Sequence, residues 1–240
     1  DDVADVKTQA TKNVEGYVVT GSKQAVSWGA QANYLVVSAN LDGQLALFLV
    51  PADAAGVQRT DYPTMDGMRC ATVSLEQVAV SAEALLATGD QAVDILRNAE
   101  QEATVALCAQ TVGMMEQLLA ITIEYLKTRQ QFGKTLSSFQ VLQHRLADMY
   151  IHIEVAKSMA FVGAQALGLE DAKERQRRIS SAKIKVAQAA KFIGESAVQL
   201  HGGMGMTDEL EVGDYFKRMT FTEFHYGDSA YHLAQLASLK

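Results

Sequence analysis

Both prolines of this chain, Pro51 and Pro63, fall in its first quarter or so, and beyond Pro63 no residue forbids a helix. Proline lacks a backbone donor and clashes with the turn before it, so this placement divides the chain into two regimes. The first holds apolar or β-branched runs of strand length, bounded by Gly, Asn, Asp and Pro: Tyr17–Lys23, Tyr34–Ser38 and Leu45–Val50. Asp42-Gly43 between the last two is a hairpin signal, and Thr72–Val80 alternates with period two as a fourth strand. Residues 1–90 are therefore predicted to be mostly β.

From Asp90 the apolar period becomes helical. Val105, Cys108, Val112, Met115, Leu119 and Leu126 form one face of a segment predicted from about Val93 to Lys127. A second helix is predicted from Ser137 to Gly168, opened by a capping box of Ser137 with Gln140. A third runs from about Asp171 to Gln199, with shorter pieces at Val212–Met219 and Ser229–Leu239. Long helices joined by short turns predict an antiparallel four-helix-type bundle over 91–240. The fold class is α+β, a partial β-barrel or sheet domain followed by that bundle. The Met, Leu and Ala stripes read as core, and the small face Ala187, Ala189, Ala190 permits close helix or subunit contact.

Charge changes at the same boundary. Residues 1–90 carry 11 acidic and 5 basic side chains, and the rest 17 and 16, so nearly all of the net charge of −7 lies in the β part. That balance argues against nucleic acid as a partner, and the one basic run, Lys173-Glu-Arg175-Gln-Arg177-Arg178, reads as a solvated helix end. No stretch approaches the ~18–20 uncharged apolar residues of a membrane span, and no signal peptide precedes Asp1, which predicts a soluble, cytoplasmic protein. Cys70 and Cys108 have no metal-type spacing, so neither a disulfide framework nor a metal site is predicted. Asp1-Asp2-Val3 begins without Met inside what reads as structure, so a piece of a longer chain is expected.

Two turns between helices could carry chemistry. In Arg129-Gln130-Gln131-Phe132-Gly133-Lys134-Thr135, an Arg at a helix end either meets the last carbonyls and the dipole or offers its planar fork to phosphate oxygens. In Gln199-Leu200-His201-Gly202-Gly203-Met204-Gly205, the glycines either terminate a helix or present N–H groups to a pyrophosphate. Each follows a helix, so neither is a Walker or Rossmann signature.

The order of these motifs, with Gly21-Ser22-Lys23, Phe139-Gln140, Leu146-Ala147-Asp148-Met149 and Tyr215-Phe216-Lys217-Arg218, resembles the acyl-CoA dehydrogenase family over essentially the whole chain. It is similar to the second part of that family's middle β domain and its complete C-terminal helical domain. Asp1-Asp2-Val3 resembles the point just after the family's Thr-Glu-Pro motif, so the N-terminal helical domain and the first middle-domain strands are expected to lie outside it. The resemblance implies an oligomeric FAD-dependent oxidoreductase of fatty acid metabolism, usually a tetramer, that takes an α-proton and a β-hydride from an acyl-CoA thioester. It also implies that Arg129, Gln131, Phe132 and Gln140 meet the FAD diphosphate and adenosine of the neighbouring subunit. Gln199, Gly202 and Gly203 would flank the same diphosphate, and Ser27 would offer a hydroxyl to the flavin ring.

Departures from the family pattern gather around its catalytic base. A gapless alignment over Lys217–Gly227 puts His225 on the Tyr, Tyr226 on the Glu and Asp228 on the Thr of the family's Tyr-Glu-Gly-Thr motif. A phenol, with a pKa near ~10, is a poor base at neutral pH. Members that carry the Glu early in the first long helix place it where Ala103 stands, and Glu102 is one step, about 100°, away. The usual Arg beside it is Thr104, and the family's Trp-Ile-Thr-Asn reads Ala25-Val26-Ser27-Trp28. Two main expectations follow: an enzyme whose base is Asp228 or Glu102, or a non-catalytic FAD-anchoring or structural subunit of a hetero-oligomer that keeps Tyr226. A third is an interaction module without activity.

Overall fold

The computed structural model describes residues 6–239, so Asp1-Asp2-Val3 lies outside the described residues. The chain forms two compact units, Asp1–Ala99 and Glu100–Lys240.

In the first, seven strands form one mixed sheet: β1 (Gln9–Lys12), β2 (Gly16–Ser27), β3 (Tyr34–Leu41), β4 (Gln44–Pro51), β5 (Val57–Pro63), β6 (Arg69–Ser81) and β7 (Leu85–Thr88). Their order is β5-β6-β2-β1-β3-β4-β7, with β1 parallel to β3 and every other neighbour antiparallel. Asp42 and Gly43, both at positive φ (51° and 83°), make the tight turn that sets Leu41 opposite Gln44. Period-two burial puts Leu35, Val37 and Ala39 of β3 into the core, where Tyr17 meets Phe48 edge-on at 5.2 Å. Strand β4 is covered on both faces: Ala46 and Phe48 enter that core, while Leu45 and Leu47 pack with Ala87 and Ala92.

The second unit is helical: the main part of α1 (Gly89–Thr128), then α2 (Gln140–Ala166), α3 (Ala172–His201), α4 (Val212–Phe224) and α5 (Ser229–Ser238). Its core joins Met115, Leu118 and Leu126 of α1 with Met149 and Ile153 of α2, Ile193 and Ala197 of α3 and Met219 of α4. Asp171 caps α3 by accepting from the amides of Lys173 (2.9 Å) and Glu174 (3.3 Å). Asp171→Ala is expected to cost about 1 kcal/mol in a urea melt, the usual worth of such a cap.

Three expectations are corrected here. The capping box does not form: Ser137 sits in a 3-10 turn, Leu136–Ser138, and α2 begins only at Gln140 after Phe139, with no side-chain cap. The nearby hydroxyls serve the turn, Ser138 Oγ donating to the Thr135 carbonyl at 2.7 Å. Arg175 is not a solvated charge, because its Nε donates to Gln101 Oε1 (2.9 Å) and Nη1 to the Leu169 carbonyl (2.9 Å). Finally, α1 is long and apolar enough to cross a membrane by length and composition alone, with 44% of its most apolar window buried within the protein. Glu116 and several Thr and Gln residues interrupt its apolar run, so a scan for unbroken uncharged apolar stretches passes over it.

Candidate functional site

The two turns singled out in the sequence are joined through α1. At its end the Tyr125 carbonyl accepts from the Arg129 amide (2.8 Å), and the Arg129 carbonyl accepts from the Leu136 amide (2.9 Å), closing the base of a small hairpin. Its strands, β8 (Gln130–Gln131) and β9 (Lys134–Thr135), leave Phe132 and Gly133 as a two-residue turn at φ 56° and 78°. That is the primed geometry whose twist matches paired strands, and it holds a bulky aromatic in the left-handed region. Phe132 is 89% exposed, touching Phe139 edge-on at 6.2 Å, and Lys134 Nζ lies 4.1 Å over the Phe139 ring. Gln131 turns its amide onto the Gln130 carbonyl (2.8 Å), and Gln140 is the first, exposed residue of α2.

The Tyr125 ring stacks on His201 at 4.3 Å, and its hydroxyl donates to the His201 carbonyl at 3.3 Å. His201 begins the glycine turn, so this stack holds the turn beside the root of the hairpin. Nδ1 of His201 donates to the Ala197 carbonyl (2.8 Å), which leaves Nε2 a buried acceptor with no partner among the described residues. Burial pushes its pKa below the ordinary imidazole value, against the pull of that carbonyl. Gln199 is exposed and its carbonyl accepts from the Gly202 amide, while Gly202 (φ 60°) and Gly203 have nothing within 4 Å of where a Cβ would stand.

The loop between α4 and α5 is held from beneath. Lys183, fully buried on α3, donates Nζ to the carbonyls of Gly227 (2.7 Å) and Glu223 (3.3 Å). Burial pushes its pKa down, with Cys108, Glu223 and Asp228 pulling the other way, and the buried Cys108 thiol is itself pushed up to about 12. Glu223 accepts from the amide (2.8 Å) and hydroxyl (2.9 Å) of Ser229, and His232 Nε2 donates to the Tyr226 carbonyl at 3.0 Å. Tyr226 stands at φ 56° and is 46% exposed. Asp228 is the N-cap of α5, accepting from the Tyr231 amide at 2.7 Å. Glu102 lies exposed on α1, and among the described residues its carboxylate has no hydrogen bond or ion pair. Ser27 belongs to the other unit, its hydroxyl 4.0 Å from Cys70 Sγ, and Trp28 beside it is half exposed at φ 59°.

Sequence reading missed Tyr125, Lys183, Ser180 and His232. For Lys183 a signal existed, since it falls in phase with Ile179 and Ala187 on the buried stripe of α3. His201 and His232 together fix a pH dependence. Burial is the leading cause for both, and Lys183 adds to it at His232 against the Tyr226 carbonyl, Asp228 and Glu223. The unfolded chain takes up protons at these sites from about pH 6.5 downward before the folded chain does, so stability falls as pH drops below that point. Thermal unfolding is expected at lower temperature at pH 5.5 than at pH 7, and the difference should shrink in His201→Gln.

Taken together, the sheet unit and the helical bundle with its two glycine-bearing turns define the fold, and comparison with known proteins places it. Residues 95–239 match the family profile "Acyl-CoA dehydrogenase, C-terminal domain" and residues 1–78 the profile "Acyl-CoA dehydrogenase, middle domain". The chain belongs to the acyl-CoA dehydrogenase family. It is 28% identical to the short/branched chain specific acyl-CoA dehydrogenase, mitochondrial, of Bos taurus, an alignment covering 97% of this chain and 55% of that protein. The ChsE4–ChsE5 complex of Mycobacterium tuberculosis superposes with a TM-score of 0.83 at 28% identity, covering 96% of this chain and 62% of the other. A glutaryl-CoA dehydrogenase from Mycobacterium smegmatis in complex with FADH2 does so at 0.87 and 25% identity, covering 98% and 61%. The chain spans little more than half the length of the bovine relative it matches.

Proposed function

We propose that this chain is the flavin-anchoring partner in an acyl-CoA dehydrogenase assembly, holding FAD toward a neighbouring subunit that supplies the proton-abstracting carboxylate. One observation carries the reading: the anchors are open while the position expected to hold the base carries the exposed Tyr226, and the nearby Asp228 carboxylate caps α5 through Oδ1. The residues present fit the cofactor. Arg129 is exposed with no side-chain partner among the described residues, and its fork suits phosphate oxygens. Gly202 and Gly203 leave their backbone open to close approach, and the N-terminus of α2 at Gln140, without a side-chain cap, favours an anion. Phe132 offers an exposed aromatic face at the hairpin tip, and Gln131 and Gln199 line the same turns.

A bound flavin supplies acceptance of a β-hydride, and removal of the α-proton falls to a protein base. The family's relatives support acyl-CoA thioesters as the substrate class, and the ChsE4–ChsE5 structure is a complex of two differently named chains. Exposed apolar side chains on α2, including Val141, Ile151, Val155 and Phe161, suit a homo- or hetero-oligomeric contact.

A second reading, dehydrogenation by this chain alone, is favoured by Glu102, an unpaired carboxylate one position from where some members carry their base. Acyl-CoA added to the full-length protein separates the two. On the first reading bound flavin stays oxidised until a catalytic family member is mixed in. Bleaching by this chain alone, abolished in Glu102→Gln, establishes the second.

A further inference from the structure

Beneath Tyr226 runs a chain of buried and half-buried polar side chains. Arg175 Nε donates to Gln101 Oε1 (2.9 Å), Gln101 Nε2 to Gln176 Oε1 (2.8 Å), and Gln176 Nε2 to Ser180 Oγ (2.9 Å). Ser180 Oγ lies 3.0 Å from His232 Nδ1, and His232 Nε2 lies 3.0 Å from the Tyr226 carbonyl. Both ends have fixed polarity. A guanidinium only donates and a peptide carbonyl only accepts, so each group between them has a single consistent orientation. With the His232 ring neutral, Nε2 carries the proton given to the Tyr226 carbonyl, so Nδ1 accepts the Ser180 proton. Ser180 is fully buried and His232 only 3% exposed, so water cannot readily stand in for a missing link.

The far end of the chain holds a conformation that the loop does not favour by itself. Tyr226 and Gly227 are successive left-handed residues at φ 56° and 91°, and a Cβ on Gly227 would stand 2.3 Å from Tyr231 Cδ1. A tyrosine rarely adopts this region without a contact that fixes it.

We propose that Arg175, Gln101, Gln176, Ser180 and His232 form a one-way hydrogen-bond relay that grips the Tyr226 carbonyl and so sets the direction of the side chain at the head of the loop. Ser180 and His232 are positioning residues. The relay stands on this chain's own geometry; its consequence for activity rests on the reading above, which gives that loop position to the base of catalytic relatives. The charged groups facing His232 are Lys183 from α3, Glu223 from α4 and Asp228 at the start of α5. Burial and Lys183 disfavour the imidazolium, which would aim a second N–H at a Ser180 oxygen already accepting from Gln176.

The test uses the full-length protein and needs no cofactor. In 15N-histidine spectra, His232 is expected to carry its proton on Nε2 and to remain neutral at about pH 6.5, where a free imidazole is half protonated. A proton on Nδ1, or a half-charged ring at that pH, overturns the relay. Two substitutions then separate its links by hydrogen exchange of the loop amides. In His232→Gln the amide reaches the Nε2 position and still donates to Tyr226, so loop protection is retained. In His232→Asn only the Nδ1 side is mimicked, and exchange speeds by about three- to tenfold, the worth of one hydrogen bond. Equal effects of the two contradict the proposal. Flavin absorbance, measured separately, reports on the cofactor reading, so either account can fail without the other.

Discussion

Replacing Tyr226 by Glu is expected to raise the rate at which acyl-CoA bleaches the bound flavin of the full-length protein by about 10²–10⁴-fold, the usual contribution of a positioned general base. The physical difference is basicity: a carboxylate with a pKa near ~4.3 is ionised at neutral pH, whereas a phenol near ~10 is not. The backbone needs no new support, because the Tyr226 and Gly227 carbonyls are held by His232 and Lys183 whatever the side chain. With Tyr226 already 46% exposed, a Glu there is not forced into an apolar interior. Anaerobic stopped-flow absorbance measures the gain. An unchanged rate in a protein that still binds flavin means that the loop does not face the reacting carbons.

The second large effect is at the hairpin. Arg129→Gln is expected to weaken FAD binding by about 10- to 150-fold, the worth of one charge-assisted hydrogen-bonding group, with the thermal midpoint of the apoprotein unchanged. The separation is expected because Arg129 is fixed by its backbone, through Tyr125 and Leu136, while its side chain points into solvent without a partner among the described residues. Titration of apoprotein with FAD gives the affinity, and a parallel melt gives the stability. If the variant melts early and binds FAD normally, the guanidinium serves the hairpin and not the cofactor.

How much of this was legible in the sequence depended on how local the cause was. Strands β2, β3 and β4 announce themselves as apolar or β-branched runs of strand length, β6 by period-two alternation, and Asp42-Gly43 by the backbone freedom its turn needs. Strands β1 and β5 do not, because Gln9–Lys12 buries only Ala10 and Val57–Pro63 is a mostly exposed edge strand. The hairpin Gln130–Thr135 was marked as a special turn but not as paired strands, since Phe132-Gly133 lacks the Asn-Gly or Asp-Gly signal. Ser137 and Gln140 have the spacing of a capping box, yet a 3-10 turn intervenes.

The candidate site divides in the same way. Arg129 and the glycine turn carry their chemistry in contiguous residues, so they could be found one at a time. What joins them, Tyr125 stacked on His201, links positions far apart in the chain and appears only when the helices pack. The relay under Tyr226 draws on α1, α3 and α5, and no spacing within one element reveals it. Lys183 is the intermediate case, a cation on an apolar stripe whose carbonyl partners are Glu223 at the end of α4 and Gly227 in the loop after it.

The central claim, that flavin anchoring and proton abstraction reside in different chains, is tested most directly by one anaerobic absorbance measurement on the purified full-length protein. The account predicts a flavin spectrum that acyl-CoA leaves oxidised in this chain alone. Bleaching of that flavin by this chain alone, with Tyr226 in place, would contradict it.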